Sequence, residues 1–228
     1  MQKLIERKNT VICYWMERRL LDRSAIVLAS GFSSRFGQDK GVLELANKPL
    51  IKHVVDAVKP IVDEVIVVAN SQERIAKYAE IVAADVRFAV DSSEPNGSLI
   101  GALTGFESAH GKYALLLPFD RPFVSREVFS LLFDLCLNKA AAVPRWPDGK
   151  VEPLHAVYQT NVALDAARSA VDERKLDMRA AVERMREVRY VSTLVIQQLD
   201  PDFRTFFNIN TPLDLKKAMN MVKPRKAK

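Results

Sequence analysis

The sequence predicts an α/β fold, a single domain built as a three-layer sandwich around a mostly parallel sheet. Three observations predict it. Short, almost wholly apolar runs rich in β-branched residues recur at 25–29, 64–69, 86–90, 113–118 and 140–143. Segments of helical period lie between them. Strands alternating with helices make βαβ units, and strands without polar alternation are buried on both faces.

Taken in order, "AIVLA" at 25–29 is the first strand, and "PLIKHVVDAVKPIV" (49–62) is a helix with one apolar face. "EVIVVA" at 64–69 is the second strand, "SQERIAKYAEIVAA" (71–84) the next helix, and 86–90 the third strand. "SLIGALTGFESA" (98–109), the strand at 113–118 and "REVFSLLFDLCLNKA" (126–140) continue the alternation, with Ser125 placed to cap the last of these helices. The region 145–160 reads differently, because "PDG" is a turn signal between extended flanks; an insertion or an antiparallel edge is expected. Helices follow at 161–172 and 178–186, the second capped by Asp177. The final helix begins at "NTPLDLKKAMNMV", with Thr211 as cap, Pro212 in the first turn and Asp214 at the positive end of the dipole. Residues 1–23 form an appended segment, 24–222 the domain and 223–228 a basic tail; Met16 is an alternative start.

Composition removes several classes of function. Of the 228 residues 48% are hydrophobic and 27% charged, the balance of a globular chain. No apolar run approaches the ~20 residues of a membrane span, and the start carries no secretory pattern. Two cysteines, Cys13 and Cys136, build neither a disulfide framework nor a four-thiolate zinc site, so a reducing cytoplasm is the expected location. The net charge is +6, but the last six residues carry four cations and residues 1–23 a net +3, which leaves the body near −1. A near-neutral body is not the footprint of a nucleic-acid-binding domain.

The chemistry concentrates after the first strand. Gly31, Gly37 and Gly41 share one short window with Ser30, Ser33, Ser34, Arg35 and Lys40; Gly97, Gly101 and Gly105 share another. Glycine lets backbone N–H groups approach an anion closely, and ligands of such sheets bind beyond the carboxyl ends of the strands. Donors, two cations and no bulky aliphatics at that place suit a polyphosphate. The window is not a P-loop, since Lys40 stands three residues after Gly37 and no Ser or Thr follows it.

"LASGFSSRFGQDK" resembles the L-A-G-G-x-S-x-R-M-G-x-D-K signature of the nucleotidyltransferase superfamily that includes MobA-type molybdenum cofactor guanylyltransferases. It departs at Ser30, where the family has glycine, and at Phe36, where methionine is usual. "GVLELANKPLIKHVVDAV", "VDSSEPNGSLIGALTGFESA", "LLLPFDRPFVS", "VEPLHAVY" and "FFNINTPLDL" resemble further family segments in the family's order, with Ser98 replacing a proline. Together they cover most of 25–215.

The resemblance implies a Rossmann-like sandwich of the nucleotide-diphospho-sugar transferase type, and transfer of GMP from Mg-GTP to a molybdopterin-type cofactor. It places Leu28, Ala29, Ser30, Gly31, Lys40, Asp91, Gly97, Gly101 and Asp120 at the nucleotide and Asp120 on Mg²⁺. Lys40, Arg35 and Asp120 are then the catalytic groups. Mg²⁺ takes one or two carboxylates plus phosphate oxygens, a role open to a carboxylate ending a strand. Asp120 as a mere helix cap is the competing reading, though Ser125 sits better for that. Asp91 either accepts from guanine or ribose or starts an Asx turn. Glu152, His155, Asn208 and Asn210 are the acceptor-side candidates; His155 as an ordinary buried histidine and Asn208 as a turn former stand beside that reading. A related transferase using CTP or a sugar or polyol phosphate, and a silent GTP-binding regulator, are the alternatives. Hand-over of a labile product to cofactor-insertion proteins is expected; nucleic-acid and membrane partners are not.

Overall fold

Strand β1 (Arg23–Leu28) is sealed because its alternate side chains meet two different cores, Ala25 and Val27 on one face and Ile26 and Leu28 on the other. In the computed structural model, which describes residues 22–29, 36–91 and 97–222, every later element is arranged around this strand. The expected appended segment, apart from Asp22 and Arg23, and the basic tail lie outside the described residues.

A 3₁₀ turn at Lys40–Val42 leads to a small hairpin, β2 (Glu44–Leu45) and β3 (Lys48–Pro49). Ala46 and Asn47 both take positive φ at its tip, the geometry of a tight two-residue hairpin turn. Helix α1 (Leu50–Val58) lays Leu50, Ile51, Val54 and Val55 on the sheet. His53 Nε2 lies 2.7 Å from the Leu45 carbonyl oxygen, so this nitrogen carries the proton; burial lowers the pKa of the ring. Strand β4 (Glu64–Ala69) is buried throughout, and helix α2 (Gln72–Ala79) follows with Ser71 accepting from the Arg74 N–H. Then come β5 (Arg87–Val90), α3 (Ser98–Ser108), β6 (Tyr113–Pro118) and α4 (Arg126–Cys136), which Ser125 caps as expected.

Strands β7 (Ala141–Arg145) and β8 (Ala156–Gln159) flank the "PDG" turn. They are followed by α5 (Thr160–Asp172), α6 (Met178–Val182, capped by Asp177), β9 (Val188–Ser192), α7 (Thr193–Ile196) and α8 (Pro212–Val222). The sheet order is β5-β4-β1-β6-β8-β7-β9, and β8 alone among the seven runs antiparallel to its neighbours. The sheet is therefore mostly parallel, as the alternation predicts. Helices α1 and α4 cover one face and α3, α5 and α6 the other, which completes three layers.

Two details differ from the sequence reading. The extended flanks of "PDG" are neither an insertion nor an edge, because β8 lies inside the sheet between β6 and β7. Strand β9 forms the edge on that side of the sheet, with β5 at the other, and α6 ends at Val182 rather than 186. Edge strands keep polar residues on their open side, so "VRYVS" lacks the apolar run by which the interior strands announce themselves.

At the amino ends of the strands, Glu64 gathers a buried polar cluster. Ser24 donates its hydroxyl to Oε1 at 2.6 Å, the His110 and Gly111 N–H groups donate to the same oxygen at 2.6 and 3.2 Å, and Arg87 Nη1 donates to Oε2 at 2.7 Å. Burial alone raises this carboxyl's pKa; the four donors outweigh it and hold it below the usual 4.5. A carboxylate depressed in this way stabilises the fold fully above its unfolded pKa and loses the contribution as pH falls through the lower folded value. Glu64→Gln is expected to lower stability by about 1–3 kcal/mol at neutral pH. The gap to wild type narrows once pH drops below 4.5. Thermal unfolding of both proteins at pH 7 and near pH 3 checks this, and a gap that stays constant across that range counts against it.

Candidate active site

The opposite rim of the sheet collects the chemistry. Backbone pairing continues past the strands there: Ala29 N–H donates to Val68 O at 2.7 Å, Asp91 N–H to Ala69 O at 2.8 Å, and Phe119 N–H to Leu28 O at 3.1 Å. These bonds fix where the chain leaves β1, β5 and β6. They seat Asp91 (3% exposed) beyond β5 and Asp120 two residues beyond β6.

Lys40 is the centre of the arrangement. It is only 4% exposed, and its Nζ donates to Asp120 Oδ2 at 2.7 Å and to Asn210 Oδ1 at 2.9 Å. A buried ammonium needs such partners, since an unpaired one carries a heavy desolvation cost. Residues 80 and 170 positions apart are thus drawn to one point. The Ile209 N–H donates to the Asp120 carbonyl at 3.0 Å, which places Asn208 and Asn210 on either side of a residue tied to Asp120. Asn210 is steadied in turn by its N–H on Asp214 Oδ2, part of the cap of α8 that the sequence predicts.

The turn bearing Lys40 is braced from below. Asp39 accepts from the Gly41 N–H at 2.9 Å and from the Tyr78 hydroxyl at 2.8 Å, and Arg74 Nε stands 3.4 Å from its other oxygen. Arg74 also donates to the Ala29 carbonyl. Burial, then the hydrogen bond to Asp39, pushes the Tyr78 phenol far above its ordinary range, so it stays a donor. Gly41 is required here, because a Cβ would lie 2.6 Å from the Tyr78 hydroxyl oxygen. The sequence reading missed Arg74 and Tyr78. Their spacing at i and i+4 on α2, facing inward from a helix with few apolar residues, was the available signal.

The fit of a divalent cation rests on two atoms. Asp120 Oδ1 and Asn208 Oδ1 are buried and without a hydrogen-bond partner. Both are hard oxygen donors of the kind Mg²⁺ takes, and a buried acceptor left unpaired is costly unless something meets it. Among the described residues no group of three or more His, Cys, Asp or Glu is placed to hold a metal ion.

Leu28 ends β1 and Ala29 follows it, with both backbone groups of Ala29 already engaged. Gly97 stands at the start of α3, where a Cβ would meet Leu176 at 2.9 Å, and Gly101 is buried in the helix itself. Ser30, Gly31 and Arg35 lie outside the described residues. His155 is 1% exposed, packed against Phe129 and Phe206; burial, then the nearby Arg121 charge, keeps its ring neutral. Glu152 accepts from Arg121 Nη1 at 3.0 Å and from Trp146 Nε1 at 2.9 Å. A groove of about 800 Å³ between Lys112, Gln159 and Arg184 lies at the other end of the sheet, away from these groups.

The family model described as "MobA-like NTP transferase domain" matches residues 25–188. The chain belongs to the MobA-like NTP transferases. It is a nucleotidyltransferase in class, and its relatives narrow the class further. It is 34% identical over 214 residues to a probable molybdenum cofactor guanylyltransferase of Methanosarcina mazei, covering 92% of this chain and 95% of that one. It is 30% identical over 202 residues to the molybdenum cofactor guanylyltransferase of Desulfosudis oleivorans, covering 88% and 96%. The crystal structure of molybdopterin-guanine dinucleotide biosynthesis protein A from Archaeoglobus fulgidus superposes with a TM-score of 0.74 at 26% identity, covering 87% of this chain and 97% of that one. This MobA-like chain thus spans nearly the whole length of these relatives. Among its described residues no helix is long and apolar enough to cross a membrane.

Proposed function

We propose that this MobA-like protein transfers GMP from GTP to the terminal phosphate of a molybdopterin-type cofactor in the cytoplasm. The observation that carries the reading is the meeting of Lys40, Asp120 and Asn210 at the carboxyl ends of the strands. An acceptor phosphate oxygen attacks the α-phosphorus in line and forms the new P–O bond. The bond from the α-phosphorus to the bridging oxygen breaks, and pyrophosphate leaves with the electron pair. An ionised phosphate needs no strong general base, and the neutral, sealed His155 does not offer one.

Such a reaction is mostly positioning and charge neutralisation. Lys40 is the mobile cation: it exchanges its carboxylate partner for phosphate oxygens when the donor binds. Arg35 and the backbone of Ser30 and Gly31 complete the phosphate cradle in this reading. Asp91 holds the base or ribose from the end of β5. Asp120 and Asn208 hold Mg²⁺, which when bound supplies neutralisation of phosphate charge. Direct hand-over of the product to a cofactor-insertion protein completes the proposal.

Equilibrium binding of GTP, ATP, CTP and UTP with Mg²⁺, on wild type and Asp91→Ala, tests it. A GTP preference that disappears in Asp91→Ala is expected. A preference for CTP keeps the chemistry and overturns the substrate; no binding of any triphosphate overturns the whole reading.

A further inference from the structure

Beside the Lys40 centre stands a second polar cluster that the transfer chemistry above does not use. Arg121, the residue directly after Asp120, is mostly buried and donates from Nη1 to Glu152 Oε2 at 3.0 Å. The other oxygen of Glu152 receives Trp146 Nε1–H at 2.9 Å and lies 3.5 Å from Lys150 Nζ. Two cations thus share one carboxylate, and the cluster is left with an excess positive charge. The Nε–H of Arg121 is buried and has no partner, a donor of a charged group left unused. One wall is aromatic: the Trp146 ring lies 5.0 Å from Phe203 and 5.5 Å from Phe206, centroid to centroid, and His155 lies 5.8 Å from Phe206. Phe203 sits there at a positive φ of 50°, a conformation bulky residues rarely adopt.

We infer that Arg121 is a specificity-determining residue for the acceptor and takes its phosphate monoester, with Glu152 and Trp146 as positioning residues. The inference rests on the transferase reading and names what that reading leaves open, the group that recognises the incoming phosphate. Geometry favours this assignment over a purely structural ion pair. A guanidinium fork tied at one nitrogen keeps its remaining edge for a phosphate, the partner its planar donors match. Arg121 follows Asp120 directly, so the cluster is carried by the same loop beyond β6 that carries the reacting centre. The net charge of the cluster favours an anion, and the aromatic wall next to it favours an acceptor with a flat ring as its body. Glu152, named above among acceptor-side candidates, acts through Arg121 in this assignment and does not itself meet the anion.

The test compares wild type with Arg121→Ala and with the double variant Arg121→Gln, Glu152→Gln. The double variant replaces the ion pair by two amides that still hydrogen-bond, so no charge is stranded and the fold is kept. Three quantities are measured anaerobically: affinity for Mg-GTP, KM for molybdopterin, and the ratio of affinities for molybdopterin and its dephosphorylated form. In wild type the phosphorylated acceptor binds at least ~10-fold better, a ratio within the reach of one bidentate pair. Both variants are expected to raise KM for the acceptor ~10-fold or more, to bind Mg-GTP within twofold of wild type, and to bring the affinity ratio close to one. A merely structural role would not move that ratio. Unchanged acceptor KM and an unchanged ratio in the double variant overturn the inference while leaving the transferase reading intact. Failure of wild type to bind GTP or to release pyrophosphate with molybdopterin overturns the reading itself.

Discussion

Asp120→Asn is expected to lower kcat/KM about 10³-fold, the largest loss of any single change considered. The side chain keeps its shape and its contact with Lys40 Nζ, now through an amide oxygen, but loses its negative charge. Two consequences follow from that charge. The buried Oδ1, which has no partner within the protein, becomes a poor anchor for a divalent cation. The neighbouring ammonium loses its counter-charge, and breaking a buried pair from one side costs on the order of 3–5 kcal/mol. Asp120 retains some exposure (17% of its side chain), so the stability cost falls toward the low end. Steady-state kinetics over a range of Mg²⁺ concentrations, with thermal unfolding alongside, checks both. A loss smaller than tenfold would remove Asp120 from the reaction.

Lys40→Met is expected to cost about 10²–10³ in kcat, by comparison with removing one preorganised donor from a developing oxyanion. Methionine preserves most of the buried volume, so packing of the 3₁₀ turn survives and the lost quantity is charge. The informative measurement is the double variant with Asp120→Asn. Groups that act as a unit are not additive in their effects. Since Lys40 and Asp120 are 2.7 Å apart, the double variant should lose far less than the product of the two single losses. Full additivity would mean that the two side chains, although in contact, serve separate steps.

Several parts of this structure were legible in the sequence for a physical reason. Strands β1, β4 and β6 are buried on both faces, so nearly every residue in them is apolar, and such runs are visible without any partner. Ser125 and Asp177 cap helices through hydrogen bonds only two or three residues long, and the Thr211–Asp214 cap is equally local. The placing of Lys40 and Asp120 at one site came from motif resemblance, and the structure brings them into contact.

Other parts were not legible. Strand β9 is an edge with exposed Tyr190, so its pattern matched neither a buried strand nor a helix. Strand β8 reads as extended, but its seat between β6 and β7 depends on which neighbours supply hydrogen bonds. Glu152 stood out for its motif, yet its oxygens are taken by Arg121 and Trp146. Arg121 carries no signal of its own in the sequence, because the motif around Asp120 leaves the next position free.

The chain's local chemistry thus specifies the class of fold, most of its elements, their caps, and the loop and carboxylate around which a nucleotide site forms. These follow from periodicity, burial on one or two faces, and contacts within a few residues, all of which neighbours in the chain carry. The strand order, the direction of β8, the brace of Asp39 by Tyr78, the seating of Lys40 between Asp120 and Asn210, and the binding of Arg121 to Glu152 belong to the folded molecule. Each joins residues roughly 15 to 170 positions apart. Such pairs form because buried charges and donors must find partners, and which partner lies within reach is set by how the sheet brings distant rims together.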